Sequence, residues 1–184
     1  AAYGRVIFLQ PVDWKTGWPV MGNDKDGGGC GEPYLTYRMP KSASKVKKNP
    51  QESDEFNSTE LGLQWQWHAN YNQLWGMPTN NGCLRLYTAD LTTTNQEGSQ
   101  ESFKSLWQAG NLLLQKTPAK DFTATTKIRF ASKEDDQYGG IIMMGRDYQA
   151  LVVRRMGDNF LLQQLSCKDA DLGGIETEKT LVTL

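Results

Sequence analysis

The alternation of apolar and polar residues in LGLQWQWHAN, residues 61–70, is the clearest structural signal in this chain. With the two-residue period of a β-strand, the leucines and tryptophans fall on one face, and Gln64, Gln66 and His68 fall on the other. The apolar face predicts a side that lines a core. Neutral amides present hydrogen-bond donors and acceptors together, as the hydroxyl groups of a sugar require. The pattern therefore predicts a sheet with a carbohydrate-contacting face, and plain exposure of the glutamines to water is the alternative.

Short strands separated by turns are predicted along the rest of residues 55–184. Residues 122–130, FTATTKIRF, show the cleanest alternation, and the turn signals at 145–147 and 156–159 predict hairpins. No segment has a convincing helical period. The pattern predicts an all-β fold, an antiparallel β-sandwich of the jelly-roll kind. Its further predicted strands are 83–87, with Cys83, Leu84 and Leu86 in or near a core, 111–116, 138–144, 148–154 and 159–165.

The chain before residue 55 has a different organisation. Short apolar runs at 5–10 and 18–21 precede a loop rich in glycine and acidic residues at 23–33, and a short strand is predicted at 34–38. We predict three parts: terminal strands and a loop over 1–38, a polar linker framed by prolines over 39–54, and the sandwich over 55–184. The chain opens as if in mid-strand and ends on the strand-like EKTLVTL, which predicts a fragment with an incomplete sandwich.

Charge and cysteine content exclude several classes of function. With 20 basic and 21 acidic side chains the formal net charge is −1, so no extended positive field attracts nucleic acid or an anionic membrane. The three cysteines, Cys30, Cys83 and Cys167, lie far apart and are odd in number, which predicts free thiols. No apolar run reaches the roughly 18 residues of a membrane-spanning helix, and the start lacks the features of a signal peptide.

Metal and catalytic motifs are weak in this sequence. Asp24, Asp26 and Glu32 resemble half of a calcium loop, but Gly28 and Leu35 stand where an EF-hand needs ligands, so a plain polar loop is the favoured interpretation. A nucleophilic triad would have to use His68, the only histidine, and no serine or cysteine elbow accompanies it, so a surface or hydrogen-bonding role is the favoured interpretation. Acidic residues are also sparse in the predicted strands, where a glycoside hydrolase would need a pair. We expect no cofactor and no catalytic residue.

Trp75 and Trp107 lie beside polar loops and are candidates for ligand contact. An indole that is partly exposed can stack on the apolar face of a sugar ring while neighbouring amides bind its hydroxyl groups, although packing is the alternative for both. Trp65 and Trp67, in contrast, are predicted to face the core. The predicted carbohydrate-binding residues are Gln64, Gln66, Trp75, Trp107, Asn111 and Gln115.

The sequence resembles glycoside hydrolase family 43 over nearly its whole length. Residues 2–33 are similar to the end of that family's catalytic propeller. The module that follows the propeller in its β-xylosidases and α-L-arabinofuranosidases is similar to this chain at LGLQWQWHAN and at three further segments. They are LRL at 84–86, NLLLQK at 111–116 and YGGIIMM at 138–144.

The resemblance implies a concanavalin A-like β-sandwich that packs on a propeller and helps to shape its substrate pocket. In some relatives this module is classed as xylan-binding, so xylan or a xylo-oligosaccharide is an expected partner, beside the propeller or a chain that completes the sandwich. The family's catalytic acids precede residue 1, which implies that this chain alone is not an enzyme. His68 and Ala69 stand where the family more often has Asn and His. The resemblance favours a periplasmic or extracellular location for the parent enzyme.

Overall fold

The computed structural model describes residues 8–38, 41, 49, 51–91, 93–94 and 100–184. The chain divides into two compact units, Tyr3–Pro50 and Gln51–Leu184. Most of the predicted linker, 39–54, lies outside the described residues. Among the residues that the structure describes, none forms a helix with the length and apolarity that crossing a bilayer requires.

Regular structure in the described residues is almost entirely β. Four two-stranded antiparallel ribbons pair β1 with β2, β3 with β8, β4 with β5, and β6 with β7, and one larger sheet has the order β12-β11-β10-β9. The prediction of an all-β, antiparallel fold is confirmed. The strands are β1 (Val12–Asp13), β2 (Val20–Met21), β3 (Gln66–Trp67), β4 (Gly76–Pro78), β5 (Leu84–Leu86), β6 (Thr93–Thr94), β7 (Gln100–Glu101), β8 (Leu113–Leu114), β9 (Tyr138–Met143), β10 (Tyr148–Met156), β11 (Asn159–Cys167) and β12 (Thr177–Thr183), with 3₁₀ turns η1 (Leu106–Gln108) and η2 (Ala170–Leu172).

The four-stranded sheet is the framework of the second unit. β9, β10 and β11 follow one another as hairpins at the predicted turns, and Met156 pairs with Asn159 across the two-residue turn between β10 and β11. Gly157 in that turn has φ = +60°, a conformation in which a side chain would be strained. β12 then pairs antiparallel with β11, with an irregularity at Leu162 and Gln163. The strand pattern at 138–165 was therefore predicted correctly.

One face of this sheet carries the core of the second unit. Tyr148, Ala150 and Val152 alternate inward along β10, and Ala150 pairs with Leu165, which is completely buried on β11. Leu106 and Ala109, in and after η1, close over this face. Burying such side chains stabilises the fold by about 25 cal/mol for each square ångström of apolar area removed from water. Half-buried apolar residues pack around this core: Leu91, Phe103, Leu112, Tyr138, Ile142 and Met144.

The predicted strand over 61–68 is wrong for its first half. The amide of Trp65 donates to the Gly62 carbonyl at 3.1 Å, which forms a turn, and strand structure is confined to Gln66–Trp67. Gln64 Nε2 and Trp65 Nε1 both donate to Asp54 Oδ2, so two neighbouring side chains reach one acceptor instead of opposite faces. Leu63, predicted to face the core, is fully exposed.

Two other predictions in the second unit are also wrong. Residues 122–130 form no strand, and Phe122 and Ile128 are exposed. Phe130 alone finds an aromatic partner, Phe160, with ring centroids 6.0 Å apart. Alternation produces a strand only where a neighbouring strand pairs its backbone, and this segment has no such neighbour among the described residues. Cys83 and Leu86, expected in or near a core, are exposed.

The first unit is a small ribbon with a closed loop. β1 and β2 pair Val12 with Met21, and Val20 is buried. The predicted loop at 23–33 is confirmed, and its base is closed by reciprocal backbone bonds between Asn23 and Glu32. The strand predicted at 34–38 is absent, because the Tyr34 backbone bonds with the side chain of Gln10 in both directions. Residues 5–7 of the first apolar run lie outside the described residues.

Candidate functional site

The short ribbon of β3 and β8 brings the tryptophan-rich segment against residues 112–114. Trp67 pairs with Leu113, and Gln66 pairs with Leu114. The amide of His68 extends the pairing by donating to the Leu112 carbonyl at 2.9 Å. This pairing fixes the start of the Asn-rich loop that follows β3.

Three aromatic side chains from the end of β3 and the loop after it pack together, and we call Trp67, Tyr71 and Trp75 the aromatic cluster. The Trp67 ring centroid lies 5.8 Å from that of Tyr71 and 5.6 Å from that of Trp75, with interplanar angles of 29° and 55°. Such pairs contribute about 0.5–1.5 kcal/mol each beyond the area they bury. Tyr71 is 58% exposed, so the cluster presents an aromatic ring to solvent.

Trp75 is held on several sides and belongs to the packing of the cluster. Its amide donates to the Asn72 carbonyl, and its own carbonyl accepts from the Tyr87 amide at 2.9 Å. Its six-membered ring lies against Gly110, where an added Cβ would come within 2.7 Å of Cη2. The position of Trp75 is therefore fixed by its loop, by the residue after β5 and by a glycine after η1.

Trp107 adds an exposed indole to the exposed phenol of Tyr71. It lies in η1, it is 36% exposed, and its ring meets the edge of the His68 ring with centroids 5.2 Å apart. His68 Nε2 lies 3.1 Å from the Trp107 carbonyl oxygen, so the tautomer with its proton on Nε2 donates a hydrogen bond to that oxygen. This contact joins η1 to the segment after β3.

Amide and phenol groups flank these rings. Asn111 Nδ2 donates to the Tyr87 carbonyl at 3.2 Å, and the Tyr87 ring is 43% exposed. Gln66 is exposed beside Trp67 on β3. Donors, acceptors and aromatic faces therefore occur together on one neutral set of side chains: Gln66, Trp67, His68, Tyr71, Trp75, Tyr87, Trp107 and Asn111.

The structure brings together some of the predicted site residues and separates others. Trp75 and Trp107 contact the neighbouring residues Trp67 and His68, and Asn111, just before β8, bonds with Tyr87, whose amide donates to Trp75. The carboxamide of Gln64 is instead engaged by Asp54 at 3.0 Å, so it does not share a face with Gln66 as the alternation predicted. Gln115 is exposed and donates to the Glu52 carbonyl at 3.0 Å. Whether any of these side chains contacts a sugar stays a prediction.

Sequence reasoning missed Tyr71 and Tyr87. The hydrogen-bonding role favoured for His68 is confirmed, but its partner, Trp107, was not predicted. The predicted strands leave Tyr71 in a connecting segment and place Tyr87 at the end of the strand at 83–87. The available signal was that aromatic residues recur at 67, 71 and 75 around an asparagine-rich loop. The partners of Tyr87 and His68 lie 24 and 39 residues away along the chain, which no local pattern reveals.

The acidic loop of the first unit uses its carboxylates within the loop. Asp24 accepts from the Gly29 amide, and Asp26 accepts from the Gly28 amide at 3.1 Å, which lowers the pKa of Asp26. Glu32 pairs with Lys25 at 2.7 Å. Over the described part of the chain, no group of three or more His, Cys, Asp or Glu side chains is arranged to hold a metal ion.

Comparison with known proteins gives a consistent result. A family model described as the β-xylosidase C-terminal concanavalin A-like domain matches residues 53–183. A β-xylosidase of Formosa agariphila is 33% identical over 164 residues, which cover 82% of this chain and 27% of that protein. A non-reducing end α-L-arabinofuranosidase, BoGH43B of Bacteroides ovatus, is 31% identical over 172 residues, which cover 90% of this chain and 29% of that protein.

A further relative is named a putative β-xylosidase of Xylanibacter ruminicola. It is 34% identical over 144 residues, which cover 78% of this chain and 24% of that protein. The chain thus spans about a quarter of the length of the curated relatives it matches. No solved structure is significantly similar to the chain.

Proposed function

This chain belongs to the family of β-xylosidase C-terminal concanavalin A-like domains, and from that premise we propose its function. It is a non-catalytic accessory domain of a xylan-degrading glycoside hydrolase, and it contacts xylan. The observation that carries the proposal is the aromatic cluster with its exposed neighbours. Tyr71, Tyr87 and Trp107 expose ring surface beside the amides of Asn111 and Gln66. Rings of this kind stack on pyranoses, and amides bind their hydroxyl groups.

The neutral character of these side chains supports xylose chains as the ligand class. Unsubstituted xylan carries hydroxyl groups and no charge, so aromatic and amide contacts suit it better than ion pairs. Hydrolysis of a glycosidic bond requires two carboxyl groups at a defined separation, and none of the side chains grouped above carries one. A binding role therefore fits them better than catalysis. An exposed site that orders flexible hydroxyl groups gains modest affinity, so binding is expected to be weak.

Affinity electrophoresis in gels containing soluble arabinoxylan tests the proposal. The chain should be retarded as the polysaccharide concentration rises, and Tyr71→Ala and Trp107→Ala should each reduce the retardation several-fold. Phe122→Ala is the matched control, because it removes an exposed aromatic ring from a segment outside the proposed site. Mobility that stays unchanged at high arabinoxylan concentration would contradict xylan binding. Release of 4-nitrophenol from an aryl xyloside by the pure chain would contradict the non-catalytic role.

A second candidate function is docking on the catalytic propeller. The first unit exposes large apolar side chains, and Phe8, Leu35 and Tyr37 line an open groove of about 300 Å³. Contiguous apolar surface that is exposed to solvent often marks a protein interface. Leu35→Ser should then weaken binding of the chain to a separately produced propeller of the same enzyme. Leu172→Ser, which changes an exposed leucine of the second unit, should not. Equal binding by wild type and Leu35→Ser would count against this groove.

A further inference from the structure

The loop that carries Trp107, residues 103–109, is fastened to the sheet by two distant parts of the chain. The Leu106 amide donates to the hydroxyl oxygen of Tyr148, on β10, at 2.8 Å. That hydroxyl donates in turn to Glu176 Oε2. The amide of Glu176 then donates to the Lys104 carbonyl at 2.7 Å. Tyr148 thus uses its hydroxyl both to accept and to donate, between the loop and Glu176.

The Tyr148 hydroxyl satisfies the first amide of η1 from outside the turn. The first amides of any helical turn lack partners inside the turn, and a side chain at the N-cap usually satisfies one of them. In η1 the N-cap residue is Ser105, which makes no side-chain capping bond. Leu106 is almost fully buried, so its amide would lose the 2.8 Å bond if the Tyr148 hydroxyl were removed and would be left with its interaction with the Glu176 carboxylate.

Burial keeps this arrangement in one protonation state at Tyr148. The Tyr148 side chain is 2% exposed, and burial raises the pKa of its hydroxyl, with the hydrogen bond to Glu176 acting in the same direction. The phenol therefore stays protonated and keeps donating to Glu176. The Trp107 carbonyl oxygen, also in η1, lies 3.1 Å from His68 Nε2. The backbone that carries the indole is thus held by the bond of Leu106 with Tyr148 and by the contact of the Trp107 carbonyl with His68.

We propose that Tyr148 and Glu176 are positioning residues that hold Trp107 in the orientation needed for sugar contact. This inference rests on the proposed xylan-binding function. Neither residue needs to touch the sugar. The Tyr148 hydroxyl accepts the hydrogen bond of the Leu106 amide in η1. Glu176 accepts a hydrogen bond from that hydroxyl and so orients its oxygen toward the Leu106 amide.

The test uses the full chain, with xylohexaose as the probe, and two measurements. Amide hydrogen exchange at Leu106 reports the hydrogen bond between Leu106 and Tyr148, and calorimetric titration reports xylohexaose affinity. Tyr148→Phe removes only the hydroxyl, so the Leu106 amide should exchange at least about fivefold faster and affinity should fall about fivefold, as expected for one lost hydrogen bond. Tyr138→Phe is the matched control, because the Tyr138 hydroxyl on β9 is buried and has no hydrogen-bond partner among the residues that the structure describes. It should change neither measurement.

Variants at Glu176 make the same comparison from the acceptor side. Glu176→Gln keeps an oxygen that accepts from Tyr148 and should retain near wild-type affinity, whereas Glu176→Ala should resemble Tyr148→Phe. If Tyr148→Phe does not fold, this pair still decides the question. Unchanged affinity in a folded Tyr148→Phe or Glu176→Ala variant would overturn the positioning role and leave the proposed function intact. Absence of xylohexaose binding by the wild type would overturn both.

Discussion

The indole of Trp65 donates a hydrogen bond to Asp54, with Nε1 and Oδ2 2.8 Å apart. The same carboxylate accepts from Gln64 Nε2 at 3.0 Å and, through Oδ1, from the Phe56 amide at 2.8 Å. The Phe56 ring also lies 5.7 Å from the Trp65 ring. One half-buried carboxylate thus ties the start of the second unit to the turn before β3.

Replacing Asp54 with alanine should destabilise the second unit. The change removes the acceptor of three hydrogen bonds, and a loss of about 2 kcal/mol in the free energy of unfolding is expected. Urea unfolding followed by tryptophan fluorescence measures it. Asp54→Asn keeps one carbonyl oxygen and should lose less, and Asp121→Ala, at an exposed position, should lose little. Equal stability of Asp54→Ala and Asp121→Ala would show that the three bonds contribute nothing net.

The hairpins of the large sheet could be predicted because their signals are local. The runs at 138–144, 148–154 and 159–165 are rich in large apolar residues, and Gly157 lies in the turn where a positive φ is needed. Each strand pairs with the next strand along the chain. Pattern and topology therefore agree, and the register follows from the short turns.

The turn at 62–65 could not be predicted because its cause lies elsewhere in the sequence. Two-residue alternation was present, but the side chains of Gln64 and Trp65 both donate hydrogen bonds to the carboxylate of Asp54 and therefore lie on the same side. Residues 122–130 show the complementary failure. Their alternation is the cleanest in the chain, yet a strand also requires a neighbour to accept its backbone bonds, and the sequence of one segment does not contain that information.

The candidate site was predicted in part for the same reason. Trp75, Trp107 and Asn111 were identified from residue type and from neighbouring polar loops, which are local features. Their arrangement depends on contacts such as Asn111 with Tyr87, which are 24 residues apart in the chain. Residue type indicated the chemistry of the surface, and only the fold showed which members meet.

Adding a methyl group at Gly110 should disturb the aromatic cluster. A Cβ there would lie 2.7 Å from Trp75 Cη2 and 3.2 Å from the Ala69 Cβ, which is too close for the rigid indole to keep its place. Gly110→Ala should lower the free energy of unfolding by about 1–3 kcal/mol, as overpacking usually does, and should change the near-ultraviolet circular dichroism of the tryptophans.

A glycine on β9 provides the control for that substitution. At Gly139 an added Cβ would meet only the Phe130 ring at 3.7 Å, an ordinary contact distance. Gly139→Ala should therefore leave the stability and the aromatic spectrum nearly unchanged. If both variants lost the same stability, the contact between Gly110 and Trp75 would not be the cause.

Glu176 provides a prediction about pH. Burial raises the pKa of this half-buried carboxyl above its ordinary value of 4.5, and the nearby Glu178 adds to the rise, while the Tyr148 hydrogen bond and Arg154 oppose it. Cys167 and Tyr138 also lie within electrostatic reach of Glu176. Since the folded protein holds this proton more tightly than the unfolded chain, protonation of Glu176 favours the fold.

Glu176→Gln should therefore gain stability relative to the wild type as the pH rises. The stabilising contribution of the Glu176 proton is fully present below pH 4.5, the ordinary value, and is lost as the pH rises through the raised folded-state pKa. The glutamine does not titrate and keeps an acceptor for Tyr148, so the difference in unfolding free energy should increase from acid to neutral pH and then level off. Urea unfolding at a series of pH values measures it. A constant difference, or one that narrows toward neutral pH, would contradict the raised pKa.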